Sequence, residues 1–300
     1  MDQRDVVICS PVRTAIGTYG GSLKEVAAPE LGVAVIGEVL RRCALPPGAV
    51  QAVVMGNVIQ AGLKMNPARQ AAVGAGVPVN VPAMTVNRVC GSGVQALVSG
   101  ALEIRAGQLD CVLAGGMENM DRAPYLFPQG RWGVRLGDAA MFDSMLHDGL
   151  NDAFSGKHSG WHTEDLATQC KVSRADQDRW ALRSQQRFSA AQAAGKFDDE
   201  IVPIELPQRK GEAVAFKQDE HNRPDTTAAS LARLRPAFRP DGTITAGNAP
   251  GLNSGAAAMV LAERRWADQH RLVPLARLVA YGIAAVEPGM FGLGPVPAVR

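Results

Sequence analysis

Residues 84–96 read Met84-Thr-Val-Asn-Arg-Val-Cys90-Gly-Ser-Gly-Val-Gln-Ala96. An apolar, β-branched run meets a cysteine, then three small residues, then an amphipathic pattern. The spacing predicts a strand over 83–88 and a helix over 93–106, stopped by Gly107. That seats Cys90 on a sharp strand-to-helix turn at a helix N-terminus. Unpaired N–H groups and the positive end of the helix dipole there favour a thiolate, the reactive form of a thiol. Gly91 and Gly93, lacking side chains, let a substrate approach the backbone. The arrangement is the cysteine counterpart of a nucleophile elbow and suits acyl transfer through a covalent thioester. A glycine-rich βα turn with an incidental buried thiol has the same pattern, so both readings stay open.

Around this turn, short β-branched runs alternate with longer helical stretches. Residues 6–8, 50–55 and 110–114 read as strands, and 32–42 as a helix. Such alternation predicts an α/β chain of βαβ units with a largely parallel sheet. From about 121 to 242 the chain turns rich in Arg, Asp, Gln and Pro. Its clearest element is a helix over 174–194, with Ser173 and Asp176 as a capping pair and Gly195 as the stop. This segment is expected to be an insertion lying over a sheet domain. Strand patterns return over 256–261 and 274–284, with a helix or turn over 264–270 between them. Gly115-Gly116-Met117-Glu118-Asn119 reads as a strand-end turn, and the small-residue run Asp241–Ala258 as a close backbone approach to a ligand or another element.

Composition narrows the classes. Of 300 residues 46% are hydrophobic and 20% charged, enough for a sizeable core. The 32 glycines and 19 prolines fall well below the share that marks a disordered chain. A net charge of +2 without a basic run argues against an electrostatic grip on nucleic acid or a membrane surface. No apolar run approaches a bilayer span, and the first residues lack a signal-peptide core, so a soluble cytoplasmic protein is expected. Five cysteines, an odd number without CxxC spacing, argue against a disulfide framework or thiolate zinc site and suit a reducing compartment. His158 and His162 lie four apart but lack a third ligand, so no metal is expected. No phosphate loop or dinucleotide fingerprint occurs.

The run Val86-Asn-Arg-Val-Cys90-Gly-Ser-Gly93 resembles the acyl-carrying cysteine motif of thiolases. So do Pro11-Val-Arg-Thr-Ala-Ile-Gly17, Ala114-Gly-Gly-Met-Glu-Asn-Met120, Gly195-Lys-Phe-Asp-Asp-Glu-Ile-Val-Pro203, residues 243–258 and Gly292-Leu-Gly-Pro-Val-Pro-Ala298. These landmarks fall in family order along essentially the whole chain. The resemblance implies a five-layered αβαβα fold. Its N-terminal α/β half would take residues 1–120 and 243–270, an inserted loop domain 121–242, and the start of a C-terminal half 271–300. It implies condensation of two acetyl-CoA to acetoacetyl-CoA, or the reverse thiolysis, with Cys90 carrying the acyl group. Coenzyme A thioesters are then substrates, no further cofactor is needed, and a homodimer or homotetramer is expected. Asp148-Gly-Leu-Asn-Asp-Ala-Phe154 followed by His158 resembles the acetoacetyl-CoA type. By the same likeness Leu150, His158, Arg223, Phe238 and Ala246 would line the coenzyme A channel, with Arg223 facing the nucleotide phosphates.

Three departures from the family pattern stand out, and the first two bear on acyl preference. Ser159 and Phe291 stand where the family commonly has methionines bordering the acyl pocket, and Pro250 replaces a serine that donates to the pantetheine arm. A thiolase of broader chain length is therefore the alternative. The family's Asn-Glu-Ala-Phe, Gly-His-Pro and Cys-x-Gly segments do not occur in residues 1–300. The chain is thus expected to be a C-terminally shortened thiolase, and an inactive coenzyme A-binding remnant is a further alternative.

Overall fold

A computed structural model describes residues 4–300. Its centre is an eight-stranded sheet. The N-terminal part contributes β1 (Val6–Thr14), β2 (Gly17–Thr18), β3 (Ala52–Gly56), β4 (Ala83–Val86) and β5 (Cys111–Asn119). Two short hairpins stand apart from it: β6 (Tyr125–Leu126) with β7 (Phe142–Asp143), and β9 (Ile204–Leu206) with β10 (Val214–Phe216). Strands β8 (Ile201–Val202), β11 (Asn253–Glu263) and β12 (Pro274–Arg277) return to the main sheet. The order is β12-β1-β11-β5-β3-β4, with β2 on β11 and β8 on β1.

The sheet is mixed, which corrects the parallel expectation. β3 runs parallel to β4 and β5, as βαβ crossovers require, but β11 enters between β1 and β5 antiparallel to both. β11 arrives after the long segment 121–242, so no crossover helix dictates its direction. Gly115-Gly116 is no turn either. Both glycines sit inside β5, in register with Ala258 and Ala257 of β11. A Cβ on Gly115 would lie 2.0 Å from the Ala257 carbonyl oxygen, so only glycine permits that approach. The last strand is shorter than its apolar pattern, ending at Arg277 where pairing with β1 stops.

Helices cover both faces. On one side α1 (Ala28–Arg42) and α2 (Pro67–Gly74) pack on the sheet, and α1 buries Leu31, Val35, Ile36 and Val39 along one stripe. On the other side α3 (Ser92–Arg105) buries Ala96, Ala101 and Ile104 against Val54, Val112 and Leu261. Gly107 stops α3 at φ +74. Within 121–242, α4 (Ser159–Gln169) and α5 (Arg174–Ala193) are followed by the short α6 (Ala228–Ala232). Ser173 caps α5 by accepting from the Asp176 N–H, and Gly195 ends it at φ +66. α7 (Arg264–Gln269) then links β11 to β12. No helix among the described residues is long and apolar enough to cross a membrane.

Candidate active site

Cys90 is exposed, which removes the buried-thiol reading. The turn from β4 to α3 owes its shape to Val89, a β-branched residue held at φ +46. Such a residue enters the left-handed region only under constraint, and strain of this kind gathers at functional sites. The constraints are local hydrogen bonds. Asn87 Oδ1 accepts from the Val89 N–H at 2.9 Å. The buried Ser92 hydroxyl accepts from the Arg88 N–H at 2.8 Å and donates to the Val89 carbonyl at 2.6 Å. The Gly91 N–H donates to the Arg88 carbonyl at 3.0 Å. The N–H groups of Gly93 and Val94, in the first turn of α3, have no partner among the described residues.

The N-terminus of α3 rests directly on the sheet. A Cβ on Gly56 of β3 would lie 2.4 Å from the Ser92 carbonyl carbon, and one on Gly116 of β5 would lie 3.3 Å from Gly93 Cα. These two glycines bring the helix end, and Cys90 with it, down onto the carboxyl ends of parallel strands. There a cavity of about 400 Å³ opens, lined by Cys90, Gly93, Asn57, Glu118, Leu150 and Ala256 among others. Open α/β sheets bind ligands at this end of their strands.

Sequence reading passed over the polar floor of this cavity. The Glu118 carboxylate accepts from the Val58 N–H at 2.8 Å, the Ile59 N–H at 3.4 Å and Asn57 Nδ2 at 2.9 Å. Burial pushes its pKa up against those three bonds, which favour the ionised form. Asn57 Nδ2 also donates to the Met117 carbonyl at 3.0 Å, so both its protons are used. The Oδ1 atoms of Asn57 and Asn253 are buried without a partner among the described residues, and both residues line the cavity.

The residues expected to line a coenzyme A channel fall in four places. Leu150 ends a single π-helical turn, Met145–Leu150, and stands on the wall of the Cys90 cavity. His158 and Phe238 come together away from that wall. Their rings stack at 4.9 Å with 21° between planes, and His158 Nδ1 caps α4 by accepting from the Gly160 N–H at 2.9 Å. Ala246 is exposed beyond a turn that the buried Glu164 pins by accepting from the Thr243 and Ile244 N–H groups. Arg223 is exposed, its own N–H donating to Gln185 Oε1 at 2.8 Å. A larger groove of about 840 Å³ runs between α5 and Gly247–Pro250 and holds no cysteine or histidine. It shares Ser184 and Gln185 with a smaller cavity, which in turn shares Arg13 and Ile16 with the Cys90 cavity.

Burial lowers the His158 pKa below its usual 6.5. On acidification the unfolded chain therefore takes up this proton first. The stability contributed by His158 is present above 6.5 and lost as pH falls through the folded value. A proton NMR titration is expected to place its midpoint below 6.5; a midpoint at or above that value would contradict the stacked, half-buried geometry.

Comparison with known proteins bears on this site. Residues 6–265 match the family described as thiolase, N-terminal domain. Acetyl-CoA acetyltransferase of Pseudomonas aeruginosa is 50% identical over 297 residues, covering 99% of this chain and 76% of that protein. Beta-ketothiolase BktB of Cupriavidus necator is 52% identical over 299 residues, covering 99% and 75% respectively. The crystal structure of Bacillus anthracis acetyl-CoA acetyltransferase superposes with a TM-score of 0.96 at 44% identity, over 99% of this chain and 75% of that one.

Proposed function

The chain belongs to the thiolase family of acyltransferases, and from that premise we propose that Cys90 carries an acyl group between coenzyme A thioesters, with acetyl-CoA and acetoacetyl-CoA as substrates. The observation that carries this reading is the exposed Cys90 thiol on its strained elbow, opening onto the cavity over the strand ends. The Cys90 sulfur attacks the thioester carbonyl, the bond from carbon to the coenzyme A sulfur breaks, and coenzyme A leaves as a thiol with the proton. In condensation the methyl carbon of a second acetyl-CoA gives up a proton and attacks the Cys90 thioester carbonyl, the bond from that carbon to the Cys90 sulfur breaks, and the released sulfur ends with the proton as a free thiol. Thiolysis runs the same bonds in reverse. The Gly93 and Val94 N–H groups, unpaired among the described residues, would be the donors available to an oxyanion on the attacked carbonyl.

Leu150 would border the acyl group, while His158, Phe238 and Ala246 would flank the pantetheine arm. Arg223 would meet the phosphates of the nucleotide, where a fixed exposed cation fits. Coenzyme A thioesters are the substrates, and the chemistry needs no other cofactor. The protein would work in the cytoplasm as a homodimer or homotetramer. The exposed Tyr125, Trp132 and Leu136 around the β6–β7 hairpin would offer apolar surface for such subunit contacts.

A second reading, a 3-oxoacyl-CoA thiolase of broader chain length, draws on Phe291, which is half-exposed, and on the small residues Gly255, Ala256 and Ala257 along the cavity. Thiolysis rates decide between them. The leading reading expects acetoacetyl-CoA to be cleaved faster than a longer 3-oxoacyl-CoA. The reverse order would favour the second reading. Coenzyme A binding without any transfer would overturn both.

A further inference from the structure

Glu118 lines the same cavity as Cys90, and hydrogen bonds link it to the residue before the cysteine. The carboxylate accepts from the Val58 N–H at 2.8 Å, and the Val58 carbonyl accepts from Asn87 Nδ2 at 3.3 Å. Asn87 uses its other end, Oδ1, to accept from the N–H of Val89, the left-handed residue before Cys90. Each link fixes the next. Asn87 donates at one end and accepts at the other, so turning its amide over would set N–H against N–H and oxygen against oxygen. Asn57 is tied to the same carboxylate and to Met117, which holds the 57–59 turn from its other side.

We propose that Glu118 is a positioning residue for the nucleophile, acting through the 57–59 turn and Asn87 to hold Val89 left-handed and so keep the Cys90 sulfur at the mouth of α3. The proposal rests on reading Cys90 as the reactive thiol. It separates Glu118 from a carboxylate that only fills the interior. An interior role would affect the whole fold, whereas this one acts on a single side chain through the 57–59 turn and Asn87.

The test is the rate at which iodoacetamide labels Cys90, read by peptide mapping, with the exposed Cys170 of the same chain as internal reference. Glu118→Gln sets an amide N–H₂ against N–H donors, and Asn87→Ala removes the intermediary. Each is expected to slow Cys90 about three- to fivefold relative to Cys170, the scale of a charge moved off a helix N-terminus. The double variant is expected to be no slower than the worse single, because both cut the same line. Effects that multiply in the double variant, or Cys90 and Cys170 slowing together, would overturn the proposal. Should Glu118→Gln fail to fold, an unchanged Cys90 rate in Asn87→Ala alone would overturn it as well. Acetylation by acetyl-CoA separates the two levels: wild type that neither labels Cys90 faster than Cys170 nor takes an acetyl group sinks the nucleophile reading, and this proposal with it.

Discussion

Incubated with acetyl-CoA, the protein is expected to gain one acetyl group, and Cys90→Ala none, by intact-mass spectrometry. The other cysteines are poor competitors for stated reasons. Burial pushes the Cys9 thiol up to about 11 and the Cys111 thiol up to about 12, so both stay protonated at neutral pH. The Cys43 thiol is also raised by burial. Cys170 is exposed like Cys90, but it is the C-cap of α4 and faces the negative end of its helix. Cys90 sits before the first turn of α3, at the positive end. Two exposed thiols at opposite helix poles make an internal control. Acetyl groups divided between them would mean chemical acylation of any accessible sulfur, and the elbow would carry no special role. Loss of the nucleophile is expected to lower turnover by a factor of about 10⁴ or more, because Cys90→Ala leaves no thiol at the elbow to carry the acyl group.

The course of the elbow was legible because neighbouring residues set it, although Gly56 and Gly116, which seat it on the sheet, lie on other strands. A β-branched run, a cysteine and three small residues suffice to place a thiol at a helix start, and Gly107 and Gly195 stop their helices within a few residues of the last apolar position. What escaped reading depends on partners far away in the chain. Gly115-Gly116 looked like a turn because glycine is rare inside strands. Its reason is Ala257 and Ala258, which only the arrival of β11 brings alongside. Likewise nothing within Gly115–Asn119 says that Glu118 will face the turn after β3, since that follows from β5 pairing in parallel with β3. The VMGN run at 54–57 was the available signal: a polar residue directly after a buried strand must find partners, and Asn57 finds two. The mixed sheet escaped for the same reason, since the direction of β11 is set by a segment whose path no periodicity describes.

The same long-range logic predicts the largest stability effect. Arg13 on β1 donates through both terminal nitrogens to Asp219, at 2.7 and 2.9 Å, and through Nε to Glu200 at 2.7 Å. The Asp219 side chain is only 5% exposed and accepts one further bond, from the Ile16 N–H at 2.7 Å. This fork ties the central sheet to residues 200 and 219, beside the short β1–β8 pairing. Arg13→Met would leave Asp219 buried with that N–H alone, a change that costs about 3–5 kcal/mol. Thermal unfolding is then expected to shift down by roughly 6–20 °C. Adding Asp219→Leu to Arg13→Met is expected to recover most of the loss, since apolar replacement of a buried ion pair is often neutral. A double variant as unstable as the single would show instead that the guanidinium acts by packing, through Phe197 beneath it at 5.5 Å, rather than by charge. Because Arg13 and Ile16 also line the Cys90 cavity, the single variant should weaken acyl transfer even below its melting point, and the double should restore stability more fully than rate.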